Sequence, residues 1–141
     1  MLSTKRMQPG IAMIELVIYI AILGLLAVTV GPKFMQMFFS SQAKVTKLTL
    51  KGTVDAINAY QLHTGRYPDS LEDLNRRPSD ERVAHRWEGP YLDNVKEGDL
   101  PRDGWNNELQ YQRLERGYEL YSLGKNGDAG SEEDRIFAET R

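Results

Sequence analysis

The 141-residue chain is predicted to be α+β, with one long N-terminal helix packed on a small antiparallel sheet. Three observations carry that prediction. An apolar run, "IAMIELVIYIAILGLLAVTV", occupies Ile11 to Val30. After it, Leu50, Val54, Ile57 and Tyr60 recur at spacings of four and three, which marks one face of a helix. Towards the C-terminus, "ELQYQRL" and "GYELYSL" read as strands rich in tyrosine and leucine, and the "ERG" between them is short enough for a hairpin.

The apolar run fits a transmembrane helix on length, since about 20 residues rising 1.5 Å each cross a hydrocarbon core of about 30 Å. A secretory signal fits less well. Its apolar region should be about 7 to 15 residues long and end at a small-x-small site, of which "AVTVGP" is a weak example. Lys5 and Arg6 precede the run while Lys33, Lys44 and Lys47 follow it, so flanking charge leaves the orientation ambiguous. A long downstream segment translocates largely regardless of charge, which favours the short N-terminus inside.

The helix is expected to continue past the run, because Met35 to Thr64 contains no proline. Gly31 and Pro32 interrupt it, since proline removes a backbone donor and disfavours helical geometry just before it. A kink or locally unwound stretch is therefore expected between Gly24 and Pro32. "HTGRYPDS" ends the helix, with Gly65 suited to a left-handed cap and Pro68 just beyond. "SLEDL" then predicts one short helix with Ser70 as its N-cap, and a polar, proline-bearing connection leads to "RWEGPYL". A third short strand is expected at "RIFA", and the sheet covers the helix stripe. Trp87, Trp105, Tyr91 and Tyr111 are read as core packing, which accounts for large aromatics without a ligand.

Composition narrows the function. With the apolar run set aside, about 110 residues remain to fold in water, enough for one modest core. Eighteen Lys plus Arg against 20 Asp plus Glu give a net charge of -2, without the basic excess of a nucleic-acid binder. The absence of cysteine excludes disulfides, thiol nucleophiles and thiolate metal sites. His63 and His85 are isolated, and neither a phosphate-binding glycine motif nor a serine-nucleophile elbow occurs. The chain is not read as an enzyme.

Two places carry candidate chemistry. Glu15 lies inside the apolar run, where an ionised carboxylate costs roughly 2.5 to 3.5 kcal/mol on insertion scales. It needs a partner, unless it snorkels to the headgroups from one turn inside the run. The second place is the loop "SLGKNGDAGSEED", whose oxygen donors at Asn126, Asp128, Ser131, Glu133 and Asp134, separated by glycines, suit a hard cation such as calcium. It lacks the EF-hand spacing, and on the residues alone a solvated acidic turn is the better reading.

The order of features at the start resolves some of this. A basic leader, "MLSTKRMQPG", ends in Gly10, followed at once by apolar Ile11, with Glu15 four residues on and Gly24 and Pro32 further along. This resembles the signal of type IV pilins and type II secretion pseudopilins, although Ile11 and Ala12 stand where phenylalanine and threonine are commoner. "TGRYPDSLEDL", "WEGPYL", "LPRDGWNNELQYQ" and "GYELYSLGKNGDAG" are similar, in order and spacing, to the major pseudopilins of type II secretion systems. Pro101, Asp103, Trp105 and Asn107 match one element of that pattern, while Gly104 replaces a usual proline.

The resemblance implies a pilin-like fold in three parts: a leader over 1–10, a transmembrane and assembly helix over 11–32, and a periplasmic domain over 33–141. It implies that a prepilin peptidase cuts after Gly10 and methylates the new amine of Ile11. Glu15 then meets the amine of a neighbouring subunit. It also implies local melting of the helix within filaments. A main-chain carbonyl at Leu123 and side chains at Asn126 and Glu133 or Asp134 would hold calcium, with Asp128 and Ser131 offering further main-chain oxygens. Asn126 is neutral where aspartate is usual, and the loop is shorter.

The function so implied is a structural pseudopilus subunit, anchored by a single pass in the inner membrane with its domain in the periplasm, then polymerised to promote export across the outer membrane. Its partners would be copies of itself, minor pseudopilins, the prepilin peptidase, the inner-membrane assembly platform and, before assembly, lipid. The alternatives are a major type IV pilin, disfavoured by the missing C-terminal cysteine pair, and a non-polymerising, membrane-anchored periplasmic calcium-binding or adaptor domain.

Overall fold

One helix, α1, runs unbroken from Pro9 to Thr64 in the computed structural model, which describes residues 9–128 and 135–138, with side chains from residue 13 onward. Most of the expected leader lies outside these residues. The chain divides into two units, Met1–Phe39 and Ser40–Arg141.

In the first unit every large apolar side chain from Met13 to Val30 is at least half exposed, from 50% at Ile18 to 74% at Val28. The helix is long and apolar enough to cross a membrane, with a mean hydropathy of 2.5 over its most apolar window. Of the kink or locally unwound stretch expected between Gly24 and Pro32, the unwinding is not present, because Pro32 sits inside continuous helix. Proline deletes only its own hydrogen bond to the carbonyl four residues before, that of Val28, and the turns on either side keep theirs. The hydroxyl of Thr29 adds bonds to the carbonyls of Leu25 and Leu26 at 3.2 and 3.1 Å.

In the second unit the expected stripe is the core of the fold. Leu50, Ile57 and Tyr60 are buried and Val54 packs against them half-buried. The same face also buries Thr46, Thr53 and Thr64, whose hydroxyls donate to the carbonyls of Gln42, Thr49 and Tyr60 at 2.9, 2.9 and 2.7 Å. A hydroxyl spent on its own helix presents a methyl to the neighbours, so Thr53 packs as an apolar residue does, while the Thr64 hydroxyl is shared with the Arg66 carbonyl at 3.1 Å and the Thr46 hydroxyl keeps an acceptor for a neighbouring segment. Gly65, at φ +80°, ends α1 and donates to the carbonyl of Gln61 at 2.8 Å, the cap expected of it.

"SLEDL" forms a single 3-10 turn, Leu71–Leu74, that buries both leucines. The Asp73 carboxylate accepts the backbone N–H groups of Asp69 and Ser70 at 3.0 and 3.3 Å. A further helical turn, α2 (Glu81–Ala84), lies in the segment expected to be a plain connection. Asp80 caps it by accepting from the Arg82 N–H at 3.0 Å, and Val83 is buried beneath.

The sheet has the order β1-β2-β3, with β1 (Gln110–Arg113) and β2 (Tyr118–Ser122) forming the hairpin and β3 (Ile136–Phe137) pairing antiparallel to β2. Gln110 faces Tyr121 and Arg113 faces Tyr118. Leu109 and Leu120 close the core over Leu50, Ile57 and Tyr60, so the sheet covers the helix stripe as its pattern requires. Trp87, Tyr91 and Tyr111 pack against that core, whereas Trp105 is half-buried and lies outside it.

Candidate functional site

Gly10 and Ile11 fall in the first turn of α1. Glu15 follows Ile11 by four residues of continuous helix and so shares its face. Within the chain Glu15 already has one contact that the sequence did not suggest. The Tyr19 hydroxyl, one turn on, donates to the Glu15 carboxylate at 2.7 Å. A phenol on the same face can hold a carboxylate oxygen without neutralising it, leaving the second oxygen and the full charge for a cation. The i, i+4 spacing of a carboxylate and a hydroxyl was the available signal.

The acidic loop emerges from β2, and its first half is fixed by a bracket from the "LPRDGWNN" segment. Asp103 is 5% exposed, and a carboxylate is rarely buried so deeply without partners. It has four. Its Oδ1 accepts the backbone N–H groups of Trp105 and Asn107 at 2.9 and 2.8 Å, and its Oδ2 accepts the Ser122 hydroxyl at 2.6 Å and the Asn107 amide at 3.4 Å. The Asn107 amide also donates to the Gly124 carbonyl at 2.9 Å, and the Gly124 N–H donates to the Ser122 hydroxyl at 2.9 Å. The Asp103 carboxylate, the Ser122 hydroxyl and the Asn107 amide nitrogen are thereby satisfied, while the Trp105 indole N–H is buried with no partner among the described residues.

The other end of the bracket rests on α1. The Gly104 N–H donates to the Thr46 hydroxyl at 3.0 Å, and a Cβ on Gly104 would lie 2.2 Å from the Gln42 carbonyl oxygen. The proline usual at this place in the pattern therefore has no room here. A chain of hydrogen bonds runs from α1 through Thr46, Gly104, Asp103 and Ser122 to the loop.

Leu123, Asn126 and Asp128 lie in the half of the loop next to this bracket, whereas Ser131, Glu133 and Asp134 lie outside the described residues. Among the described residues no three His, Cys, Asp or Glu side chains come together as a metal cluster. The Asp103 carboxylate, with its four donors, is committed to the bracket. The proposed donors are all oxygens, which fits a hard cation, and the first of them are carried by a segment already held in shape.

His63 Nδ1 is 3.0 Å from the Tyr91 hydroxyl and its Nε2 is 3.6 Å from the Glu88 carboxylate. Burial pushes the Tyr60 hydroxyl up to about 12 and raises Tyr91, Tyr111 and Tyr118 as well, so these phenols stay neutral at physiological pH. They serve as packing groups, and two also bond through the hydroxyl: Tyr111 donates to the Pro68 carbonyl at 2.7 Å and Tyr91 accepts the Glu88 N–H at 3.0 Å.

Comparison with known proteins agrees with this architecture. Residues 33–138 match the family model described as type II secretion system protein G. The chain is 32% identical over 137 residues to a type II secretion system core protein G of Pseudomonas aeruginosa, covering 92% of this chain and 93% of that one. It is 31% identical over 135 residues to the core protein G of Klebsiella pneumoniae, covering 90% and 91%. A type IV major pilin of Neisseria gonorrhoeae is 28% identical over 125 residues, covering 87% and 73%. The crystal structure of the major pseudopilin from the type 2 secretion system of enterohaemorrhagic Escherichia coli shares the fold, with a TM-score of 0.54 at 20% identity over 73% of this chain and 87% of that one.

Proposed function

The chain belongs to the type II secretion system protein G family, and from that membership we propose how its residues serve a structural subunit of the pseudopilus. The observation that carries the proposal is the form of α1, an unbroken helix whose first half is bare apolar surface and whose second half is the core of a folded unit. A bare helix of this kind has two solvents open to it, the bilayer before assembly and the same helix of other subunits afterwards. The cycle begins with a cut after Gly10 on the cytoplasmic side and methylation of the Ile11 amine. The subunit then waits in the inner membrane with its folded unit in the periplasm. Extraction places Glu15 against the amine of a neighbouring copy. Work comes from elsewhere in the machine, and the chain contributes contacts rather than catalysis.

Two measurements test this reading. Mass spectrometry of the chain from membranes is expected to show a mature N-terminus at Ile11 carrying a methylated amine, and electron microscopy after overproduction with the secretion machinery is expected to show fibres containing it. Retention of Met1, or a cut near Val30, removes the basis for the cycle.

The calcium reading belongs to the same proposal. Its support is the all-oxygen donor set and the bracket that holds Leu123 and Asn126 next to a rigid root. Calcium that binds only the folded chain stabilises it by about 2.7 kcal/mol at a hundredfold excess over Kd. Magnesium is expected to do so poorly, because it dehydrates reluctantly and demands tight octahedral geometry. Thermal melting should show a calcium shift that Asn126→Ala weakens and that removal of Glu133 and Asp134 together abolishes. A melting curve indifferent to millimolar calcium, or one shifted equally by magnesium, returns the loop to a solvated acidic turn.

A further inference from the structure

Of the asparagines in the chain only Asn126 is followed by glycine, and the pair sits on the turn that opens the acidic loop. The side chain of Asn126 is exposed. The amide carbon of an asparagine can close a five-membered ring with the backbone nitrogen of the next residue, and a glycine there puts no side chain in the way. The pair is therefore chemically reactive.

The fold fixes the glycine. Gly127 has φ +64°, in the left-handed region, and an added Cβ would lie 2.9 Å from the Asn107 Oδ1, so no other residue suits the position. Its nitrogen is only loosely engaged. The Gly124 carbonyl accepts the Asn107 amide at 2.9 Å and the Gly127 N–H at 3.3 Å, the second being past the usual length for such a bond. Asn107 itself is the contrast, since it is half-buried, donates to both Gly124 and Asp103, and is followed by Glu108. The root of the loop is inert where its turn is labile.

We propose that Asn126 is a self-modification site, at which the Gly127 nitrogen converts the amide into a carboxylate and so adds a negative oxygen donor to the loop. The nitrogen bonds to Asn126 Cγ and gives up its proton, the Cγ–Nδ2 bond breaks, and ammonia leaves with that proton, which joins the two residues in a cyclic imide. Water then opens the ring. Attack at Cγ restores the ordinary backbone with aspartate at 126, whereas attack at the main-chain carbonyl leaves isoaspartate, with the chain running through Cβ. The conversion consumes one water and no other co-reactant. Its consequence for a cation rests on the calcium reading: affinity rises with the charge of the donors, so the aspartate form should need roughly tenfold less calcium than the amide form. Isoaspartate lengthens the backbone and should not share the gain.

The test follows the full chain, isolated from membranes and kept folded in detergent at growth temperature over days. Chymotryptic peptides covering residues 124–137, prepared in isotopically heavy water so that amide lost during handling is marked, are expected to show aspartate and isoaspartate at 126 accumulating with time. Asn58, Asn75, Asn94, Asn106 and Asn107 should stay amides over the same period, as should the glutamine of Asn126→Gln, which has a larger ring to close. If Asn126 keeps its amide as long as these do, the site is overturned. The Asn126→Asp chain, identical to the aspartate product, is then set against freshly made native chain in calcium titrations of the melting temperature. Half of the shift is expected at roughly tenfold less calcium. An equal requirement overturns the gain in affinity while the modification stands. If neither chain responds to calcium, the calcium reading fails and takes the gain with it, and the peptide masses alone decide the site.

Discussion

Replacing Glu15 with leucine is expected to abolish fibres and export while leaving the chain in the membrane with its leader removed. Leucine suits hydrocarbon better than a carboxylate does, so insertion loses nothing. What is lost, on the proposed pairing, is the charge that would face a positive amine in a low-dielectric setting, where attraction is strong and no water competes. The Tyr19 hydroxyl refines the expectation. Tyr19→Phe leaves the charge in place and removes only the group that holds one carboxylate oxygen, so it should slow assembly without abolishing it. Glu15→Gln separates the two effects, because it keeps a side chain able to accept from Tyr19 but carries no charge. Fibre yield by electron microscopy, set against leader cleavage by mass spectrometry, reads all three. Normal fibres from the Glu15→Leu chain would end the pairing role.

The second large effect is expected at Gly104. An added Cβ would sit 2.2 Å from the Gln42 carbonyl oxygen, against helix backbone that cannot yield as a flexible side chain would. Gly104→Ala should cost about 3 kcal/mol, the upper part of the range for overpacking. For a folded unit of this size that lowers the melting temperature by more than about 10 °C. Gly104→Pro should do worse, because it also deletes the N–H that bonds the Thr46 hydroxyl. Gly52→Ala is the contrasting control, since Gly52 is helical with nothing within 4 Å of an added Cβ. It should gain about 1 kcal/mol from helix propensity. Thermal unfolding of the detergent-solubilised chain measures all three, and a Gly104→Pro chain as stable as the native one would mean that the segment does not lie on α1.

How much of this could be read in advance differs from residue to residue. Leu50, Ile57 and Tyr60 were legible because an apolar side chain at helical spacing has few other uses, and the hairpin because its strands are long enough to show a pattern. Thr46, Thr53 and Thr64 were not, since a threonine counts as polar until its hydroxyl is seen bonded to its own helix. The four-residue α2 was too short to show a period, and its cap, Asp80, resembled any loop aspartate. At Pro32 local propensity pointed to a kink or local unwinding, and unwinding did not follow because a single missing bond did not outweigh the helical turns around it. The bracket on Asp103 was the largest omission. Its residues were visible as part of a pattern, but Ser122 and Thr46 are far from it in sequence and nothing local announces them.

The threonines of α1 have a consequence for sorting between solvents. If the first half of this 56-residue helix is left in hydrocarbon, as proposed, and the second half folds in water, the insertion machinery has to be told where one ends and the other begins. Valine or isoleucine at positions 46, 53 and 64 would fill the same space, though at 46 without an acceptor for the Gly104 N–H, and would extend the greasy signal towards the folded unit and blur that limit. Threonine reads as polar while the chain is still being threaded, because its hydroxyl must then be satisfied by whatever surrounds it. It becomes apolar in effect only once the helix has formed and the hydroxyl has turned back onto the backbone. The folded half of α1 is thus marked off from its apolar half by residues that change their apparent chemistry as the chain folds.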